Sequence, residues 1–334
     1  MMEEDILLRV EGLKKYFPIK RGLGVQSEWI KAVDDVSFDI KKNSIFAIVG
    51  ESGCGKSTLA KLILRLIPYT AGRILFKNED ISLLKGEAIK SFYRSVQIIF
   101  QDPFSSLNPR MRILNILSEP FKIHALCSRS EIKERVQSLL EKVGLSSDAL
   151  FKYPHEFSGG QRQRICIARA LTVSPELIVA DEPLSALDVS IQAQILNLLQ
   201  DIKKETGISI LFISHDLNVV HYISDEITVM YLGKIVEMAN TDDLFSSPMH
   251  PYTKLLLSSA PKLKYQMLSG YQKRKIAFKG YFPDTIAPLS EGIPIEAPSG
   301  CPFHPRCPER LEMCKKEMPK LKKHKDRTVA CHLY

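Results

Sequence analysis

The chemistry-bearing residues cluster first between positions 50 and 58. Gly50, Gly55, Lys56 and Ser57 occupy the fixed points of G-x-x-x-x-G-K-[ST], with Ser52, Gly53 and Cys54 between them and Thr58 after. Glycines at these points let backbone N–H groups curl around phosphate oxygens, and a helix start behind them adds partial positive charge. Lys56 is placed for the β and γ phosphates, and the Ser57 hydroxyl for Mg²⁺. The loop therefore implies ATP with magnesium. Cys54 falls at a free position and reads as a tolerated small residue rather than a reactive thiol.

A second group is the pair Asp181 and Glu182, which follows the apolar run 177–180. A carboxylate at the C-terminal end of a parallel strand points into the crevice where open α/β sheets bind ligands. Asp181 is placed to hold Mg²⁺, and Glu182 to polarise an attacking water as general base. A helix-start acid favoured only by the dipole is the plainer alternative; the phosphate loop upstream favours the functional one. A third group, Ser158, Gly159, Gly160 and Gln161, opens a helix carrying Arg162, Arg164 and Arg169. It is another anion cradle. One ATP does not need two cradles from one chain, so this one suits a second subunit's nucleotide.

These residues need elements to hold them. Residues 44–49 are a continuous apolar run, expected for a strand covered on both faces. An apolar-periodic helix is expected over 56–66. Residues 6–10 alternate loosely, and 31–40 alternate like a half-buried antiparallel strand. The pattern between about 103 and 170 is helical. There Ser128 and Glu131 suggest a capping box, and Ile132, Val136, Leu139, Leu140 and Val143 fall on one face. Buried strands at 177–180 and 208–214 flank an amphipathic stretch, 191–204. Strand, helix, strand alternation predicts an α/β layer around a parallel sheet. A short helix runs through Leu257, and a domain boundary is expected near residue 260.

The chain has 334 residues, room for one large domain plus an appendage. Its formal charge of +8 lies wholly beyond residue 260, where 15 Lys and Arg face 7 Asp and Glu. Such a tail suits nucleic acid, anionic lipid or plain solvation. No apolar run approaches the roughly 18 residues of a membrane span, and the acidic start has no signal-peptide pattern. A soluble cytoplasmic chain is expected.

In these motifs and their order along the chain, the sequence closely resembles the ATP-binding subunits of ABC transporters. The loop at 50–58 matches Walker A, and Gln101 the Q-loop glutamine, a contact to Mg²⁺. Ser158, Gly159, Gly160 and Gln161 match the signature, with Phe157 where Leu is commonest. Asp181 and Glu182 match Walker B and the catalytic glutamate. Asp188, in Ser185-Ala-Leu-Asp188, matches the D-loop, and His215 the switch histidine that bridges to the γ-phosphate. Phe17 matches the aromatic that stacks on adenine, with Tyr16 beside it as the other choice. The resemblance implies an ABC-type P-loop ATPase fold over 1–260: a mostly parallel core sheet, an antiparallel β subdomain and a helical subdomain at about 103–170. It also implies two such domains facing head to tail, each ATP clamped between one Walker A loop and the partner's signature.

The segment from Met249, His250, Pro251 and Tyr252 and the later Cys-Pro-rich stretch resemble the C-terminal module of oligopeptide and dipeptide importer ATPases, particularly the second of their two ATPase subunits. The extension would span 261–334. Its Cys301, Cys307, Cys314 and Cys331 are spaced C-x5-C-x6-C-x16-C, unlike a C-x2-C zinc ribbon. Four thiolates suit an iron–sulfur cluster or tetrahedral zinc, and free thiols are the third possibility; the resemblance implies a structural [4Fe-4S] cluster. It further implies a paralogous ATPase partner, two membrane permeases, an extracytoplasmic peptide-binding protein and a peripheral place on the cytoplasmic face of the membrane, with no nucleic acid. A nickel importer of the same architecture is one alternative. A soluble ABC-type ATPase acting on ribosomes or DNA is another, although those usually join two ATPase domains or insert a long coiled coil.

Overall fold

A computed structural model describes residues 5–19, 28–185, 187–259 and 298–334. The strands β1 (Ile6–Ile19) and β2 (Glu28–Lys41) form a long antiparallel ribbon, and β2 turns directly into β3 (Ile45–Val49). The phosphate loop joins β3 to α1 (Lys56–Ile63). β4 (Ala71–Phe76) and β5 (Glu79–Asp80) then return to the ribbon, and α2 (Gly86–Ser95) leads to β6 (Val96–Ile99). Four helices follow: α3 (Pro103–Ser106), α4 (Ile113–Ile123), α5 (Ile132–Lys142) and α6 (Gly159–Leu171), with 3₁₀ turns at Ser147–Phe151 and Pro154–Glu156. The chain continues through β7 (Leu177–Asp181), α7 (Val189–Thr206), β8 (Ser209–Ser214), α8 (Leu217–Ile223), β9 (Glu226–Tyr231), β10 (Lys234–Asn240), α9 (Thr241–Ser246) and α10 (Pro251–Ser259). The short strands β11 (Lys322–His324) and β12 (Arg327–Val329) close it.

The main sheet has eight strands in the order β11-β12-β10-β9-β3-β8-β7-β6. Strands β9, β3, β8, β7 and β6 are parallel neighbours, and β10, β12 and β11 add on antiparallel. Its central strands β3, β7 and β8 are buried along their whole length because both faces are covered. Ile45, Ala47 and Val49 of β3 face one core with Phe212 and the helices α4 to α6; Phe46 and Ile48 face the other, with Leu59 of α1 and the ribbon. The Phe46 ring stacks on Phe38 of β2 at 5.0 Å, which fixes the second, four-stranded antiparallel sheet (β2-β1-β4-β5) against the first. The expected parallel core, antiparallel sheet and helical region are all present.

Three local expectations differ from what is observed. β1 runs nine residues beyond Val10, past register shifts on both sides of Leu13. Those shifts break the period-2 pattern that marks a strand. α1 stops at Ile63 rather than near 66, because Arg65 turns left-handed (φ 54). Its guanidinium instead donates to the carbonyls of Leu84 and Ser82. Ser128 and Glu131 form only half a capping box: the Glu131 carboxylate accepts from both the Ser128 N–H and its hydroxyl, so the hydroxyl is spent on the carboxylate.

The expected boundary near residue 260, Pro261 and the stretch 266–284 lie among residues 260–297, outside those described. The tail's end, however, is joined to the core. β12 pairs with β10, and Ala330 N–H donates to the Val236 carbonyl at 2.9 Å. Beneath that junction Glu237 is fully buried. Its carboxylate accepts from the backbone N–H groups of Met249 and His250, both at 2.9 Å, and Arg327 Nη1 of β12 lies 4.0 Å away.

Candidate functional site

The phosphate loop leaves β3 on two glycines whose conformation no other residue tolerates. Gly50 has φ 156°, and a Cβ there would stand 2.2 Å from the Met230 carbonyl; Gly55 has φ 108°, and its Cβ would stand 2.1 Å from the Ala32 carbonyl. The loop therefore lies directly on the ends of β9 and β2. Lys56 opens α1 and is almost fully buried, its Nζ donating to the carbonyls of Gly50 (2.8 Å) and Glu51 (3.0 Å). Cys54 is buried, with Sγ 3.9 Å from Lys56 Nζ, and burial pushes its thiol up.

Ser57 Oγ donates to Asp181 Oδ1 at 3.0 Å. This brings one hydroxyl and one carboxylate oxygen together at the end of β7, a hard-oxygen pair that fits Mg²⁺. Burial raises the Asp181 carboxyl above its ordinary range, and the Glu182 charge pushes the same way, while Ser57 and Lys56 hold it down. Glu182 follows in a left-handed conformation (φ 46), fixed by its N–H donating to the Ile213 carbonyl of β8 at 3.0 Å. A non-glycine residue held there stores strain of about 1–3 kcal/mol.

That turn aims the Glu182 carboxylate at three groups. Gln101 Nε2, just past β6, donates to Oε2 at 3.2 Å; His215 Nδ1, just past β8, lies 3.2 Å from the same oxygen; and Lys56 Nζ stands 3.9 Å from Oε1. Lys56, Ser57, Gln101, Asp181, Glu182 and His215 thus converge where adjacent parallel strands end. Two caps set the flanking loops: Asp102 accepts from Phe104 and Ser105 N–H, and Asp216 from Asn218 and Val219 N–H.

The other expected residues sit apart from this group. Ser158 caps α6 in a reciprocal box, its Oγ accepting from Gln161 N–H (3.3 Å) while Gln161 Oε1 accepts from Ser158 N–H (3.0 Å). A Cβ on Gly160 would meet Ile191 Cγ2 at 2.4 Å, so that glycine also permits the approach of α6 to α7. Asp188 caps α7 through its carbonyl, which accepts from Ile191 and Gln192 N–H. Within the expected D-loop, Ala186 is outside the described residues. Tyr16 donates to Asp34 Oδ1 at 2.5 Å, and Asp34 pairs with Lys234 at 2.7 Å, whereas the Phe17 ring is exposed with Lys15 Nζ 4.9 Å above it.

Among the described residues, no group of three or more His, Cys, Asp or Glu has the spacing to hold a metal ion. The four tail cysteines are nevertheless electrostatic neighbours: Cys307 feels Cys331, Cys301 and Cys314, and Cys331 feels Cys314. Burial first, then these like charges, pushes the Cys307 thiol up to about 11. The Cys301 N–H donates to the Cys314 carbonyl at 2.8 Å, folding two of the four segments together.

Sequence reasoning gave no role to Glu51, Tyr252 or Arg306. Tyr252, in the His-Pro-Tyr segment, is fully buried, and its hydroxyl accepts from the Glu51 N–H at 3.1 Å. Arg306, between Cys301 and Cys307, grips the Glu51 carboxylate with both Nη atoms at 3.1 Å. A contact across 255 positions leaves no periodic signal.

Known proteins align with this geometry. The ABC transporter family profile matches residues 33–185, and that of the oligopeptide/dipeptide transporter C-terminal region matches 236–314. The oligopeptide transport ATP-binding protein AppF of Bacillus subtilis is 48% identical over 99% of this chain and 98% of its own length. The dipeptide transport ATP-binding protein DppF of Haemophilus influenzae is 45% identical over 98% of this chain and 97% of its own. Among solved structures, cbiO1 of Clostridium perfringens, part of the ABC transporter complex cbiONQ, superposes with TM-score 0.63 at 29% identity, covering 73% of this chain and 92% of that one. The ATP-binding cassette MJ0796, in a dimeric post-hydrolysis state bound to ADP and Pi, gives TM-score 0.62 at 28% identity, covering 70% and 99%.

Proposed function

The chain belongs to the ATP-hydrolysing subunits of ABC transporters of the oligopeptide/dipeptide type, and from that premise we propose that it drives import of oligopeptides or dipeptides across the cytoplasmic membrane. The observation that carries the reading is the Glu182 carboxylate, held by Gln101 and His215 beside the Ser57–Asp181 pair.

In this reading the N–H groups of residues 50–58 and the Lys56 ammonium bind the ATP phosphates. Ser57 and Asp181 hold Mg²⁺, with Gln101 as a further contact; when bound, the ion draws charge from the phosphates. Glu182 takes the proton of the attacking water, and His215 orients Glu182 and reaches for the γ-phosphate. Phe17 is the aromatic that stacks on adenine, since Tyr16 is committed to Asp34. Ser158, Gly159, Gly160 and Gln161, with Asp188, complete the nucleotide site of a facing ATPase subunit, and closure excludes water.

The ATPase domain ends near residue 260 and the C-terminal module follows. No described helix is long and apolar enough to cross a membrane. By its similarity to peptide-transport ATP-binding subunits, this subunit works at the cytoplasmic face on two permeases. An extracytoplasmic binding protein supplies the peptide, and the facing ATPase is a paralogue. The matched C-terminal region and the full-length similarity to peptide-transport subunits favour peptide over nickel, and import over a soluble role on nucleic acid. Cys301, Cys307, Cys314 and Cys331 are proposed to hold a [4Fe-4S] cluster as a structural staple. What supports this reading is the electrostatic proximity of Cys307 to Cys301, Cys314 and Cys331, and the hydrogen bond that joins the Cys301 and Cys314 segments; zinc is the alternative. Anaerobic iron and sulfide analysis tests this, with one equivalent of zinc as the opposing result. For the main reading, the test is peptide-stimulated ATP hydrolysis by the chain assembled with its permeases in proteoliposomes. Stimulation by nickel and not by peptides would overturn it.

A further inference from the structure

The phosphate loop carries an acid that the site chemistry does not use. Glu51 follows Gly50, and its carbonyl already accepts from Lys56 Nζ. An uncompensated carboxylate on this loop opposes a polyphosphate, because like charges at short range in a partly buried site repel strongly. The structure compensates it from the far end of the chain. Arg306 Nη1 lies 3.1 Å from both Glu51 oxygens and Nη2 lies 3.1 Å from Oε1, a two-pronged contact that fixes orientation as well as charge. The Glu51 N–H is taken by the Tyr252 hydroxyl at 3.1 Å.

The residues that aim Arg306 are packed rather than loose. Phe303, 1% exposed, meets Tyr231 edge-on at 5.4 Å and Tyr252 at 5.4 Å, and the Arg306 guanidinium sits 5.9 Å from the same ring. Tyr231 ends β9, the strand whose Met230 carbonyl lies under Gly50. The loop between Cys301 and Cys307 therefore braces the back of the phosphate loop.

We propose that Arg306 is a positioning residue for nucleotide binding: it neutralises and orients Glu51, so that the C-terminal module forms part of the ATP site's support. The proposal rests on the reading of residues 50–58 as the ATP site. Lys56→Ala tests that reading separately, because ATP binding that survives it would displace the site itself.

The experiment measures Mg-ATP affinity of the full chain by equilibrium titration with a fluorescent ATP analogue. It compares wild type, Arg306→Gln, Glu51→Gln, the double variant and Arg306→Lys, each with its unfolding midpoint taken without nucleotide. Arg306→Gln is expected to weaken binding about tenfold and Glu51→Gln by less than about threefold, with the double variant regaining most of the loss. Rescue by a second deletion is a result that general loss of structure does not give. Arg306→Lys, which keeps the charge on one donor, is expected to lose no more than about threefold. Affinity within twofold of wild type in Arg306→Gln, or a double variant as weak as Arg306→Gln, would overturn the proposal. Should Arg306→Gln not fold, the double variant and Arg306→Lys decide it, with about tenfold weakening in the double variant as the overturning result.

Discussion

His215 Nδ1 lies 3.2 Å from Glu182 Oε2, the oxygen that also accepts from Gln101 Nε2 at 3.2 Å. One carboxylate oxygen thus gathers a group from the end of β8 and a group from the end of β6, while the other faces Lys56. A general base must keep this geometry and its negative charge together. Glu182→Gln keeps the first and loses the second. Phosphate release by the assembled transporter is expected to fall at least about 100-fold, with Mg-ATP affinity retained. Turnover near the wild-type rate would remove Glu182 as the base.

Ser57→Ala tests the neighbouring pair. Burial is the largest cause of the raised Asp181 carboxyl, and the Ser57 hydroxyl opposes it. Metal binding needs the carboxylate, so its affinity declines as pH falls through the raised value. Without the hydroxyl that value rises further, and the acid limb of Mg²⁺-dependent ATP binding moves to higher pH. Stability runs the other way: a carboxyl with a raised folded-state pKa stabilises the fold while protonated, and that contribution is lost as pH rises through it. Titrations of Mg²⁺ dependence across pH read the limb, and a limb left in place would show that Ser57 does not tune Asp181.

Gly160 also lets α6 approach α7, a packing role that is testable without nucleotide. Its missing Cβ leaves room for Ile191 Cγ2, which would otherwise stand at 2.4 Å. Gly160→Ala is expected to cost about 1–3 kcal/mol in urea unfolding through overpacking. In an Ile191→Ala background the clash is gone, and the same change is expected to be neutral or to stabilise by up to about 1 kcal/mol, as alanine favours a helix. Equal costs in both backgrounds would place the strain elsewhere.

Legibility followed the range over which each feature is encoded. β3, β7 and β8 are continuous apolar runs because both faces are covered, and the site residues at their ends are consecutive with them, so Lys56, Ser57, Asp181, Glu182 and His215 could be placed in advance. β1 was half visible because shifts around Leu13 break its alternation. β11 and β12 have three residues each, too few for any period, and join the sheet through a partner strand some 90 positions earlier. The convergence of Gln101 and His215 on one Glu182 oxygen depends on strand order, and the grip of Arg306 on Glu51 on the packing of Phe303; neither has a local signature.

His250 gives the junction of core and tail a pH dependence of its own. It is 1% exposed, its Nδ1 accepts from the Tyr252 N–H at 3.0 Å, and its ring lies 5.8 Å from Phe303. Burial, with a smaller push from the Lys254 charge, lowers its pKa from 6.5 to about 4. An imidazole depressed in this way takes its proton in the unfolded chain first. Its contribution is therefore complete above about pH 6.5 and lost as pH falls toward 4, a total of about 3 kcal/mol. Glu237, which holds the His250 N–H and has Arg327 at 4.0 Å, is raised by burial and acts with the opposite sign, so wild type alone mixes the two. Subtracting His250→Asn, which keeps an acceptor for the Tyr252 N–H, isolates the imidazole. Urea unfolding of both proteins from pH 7.5 to 4.5 is expected to show wild type losing stability faster across that window; parallel curves would mean that His250 titrates normally and that the ring is open to water.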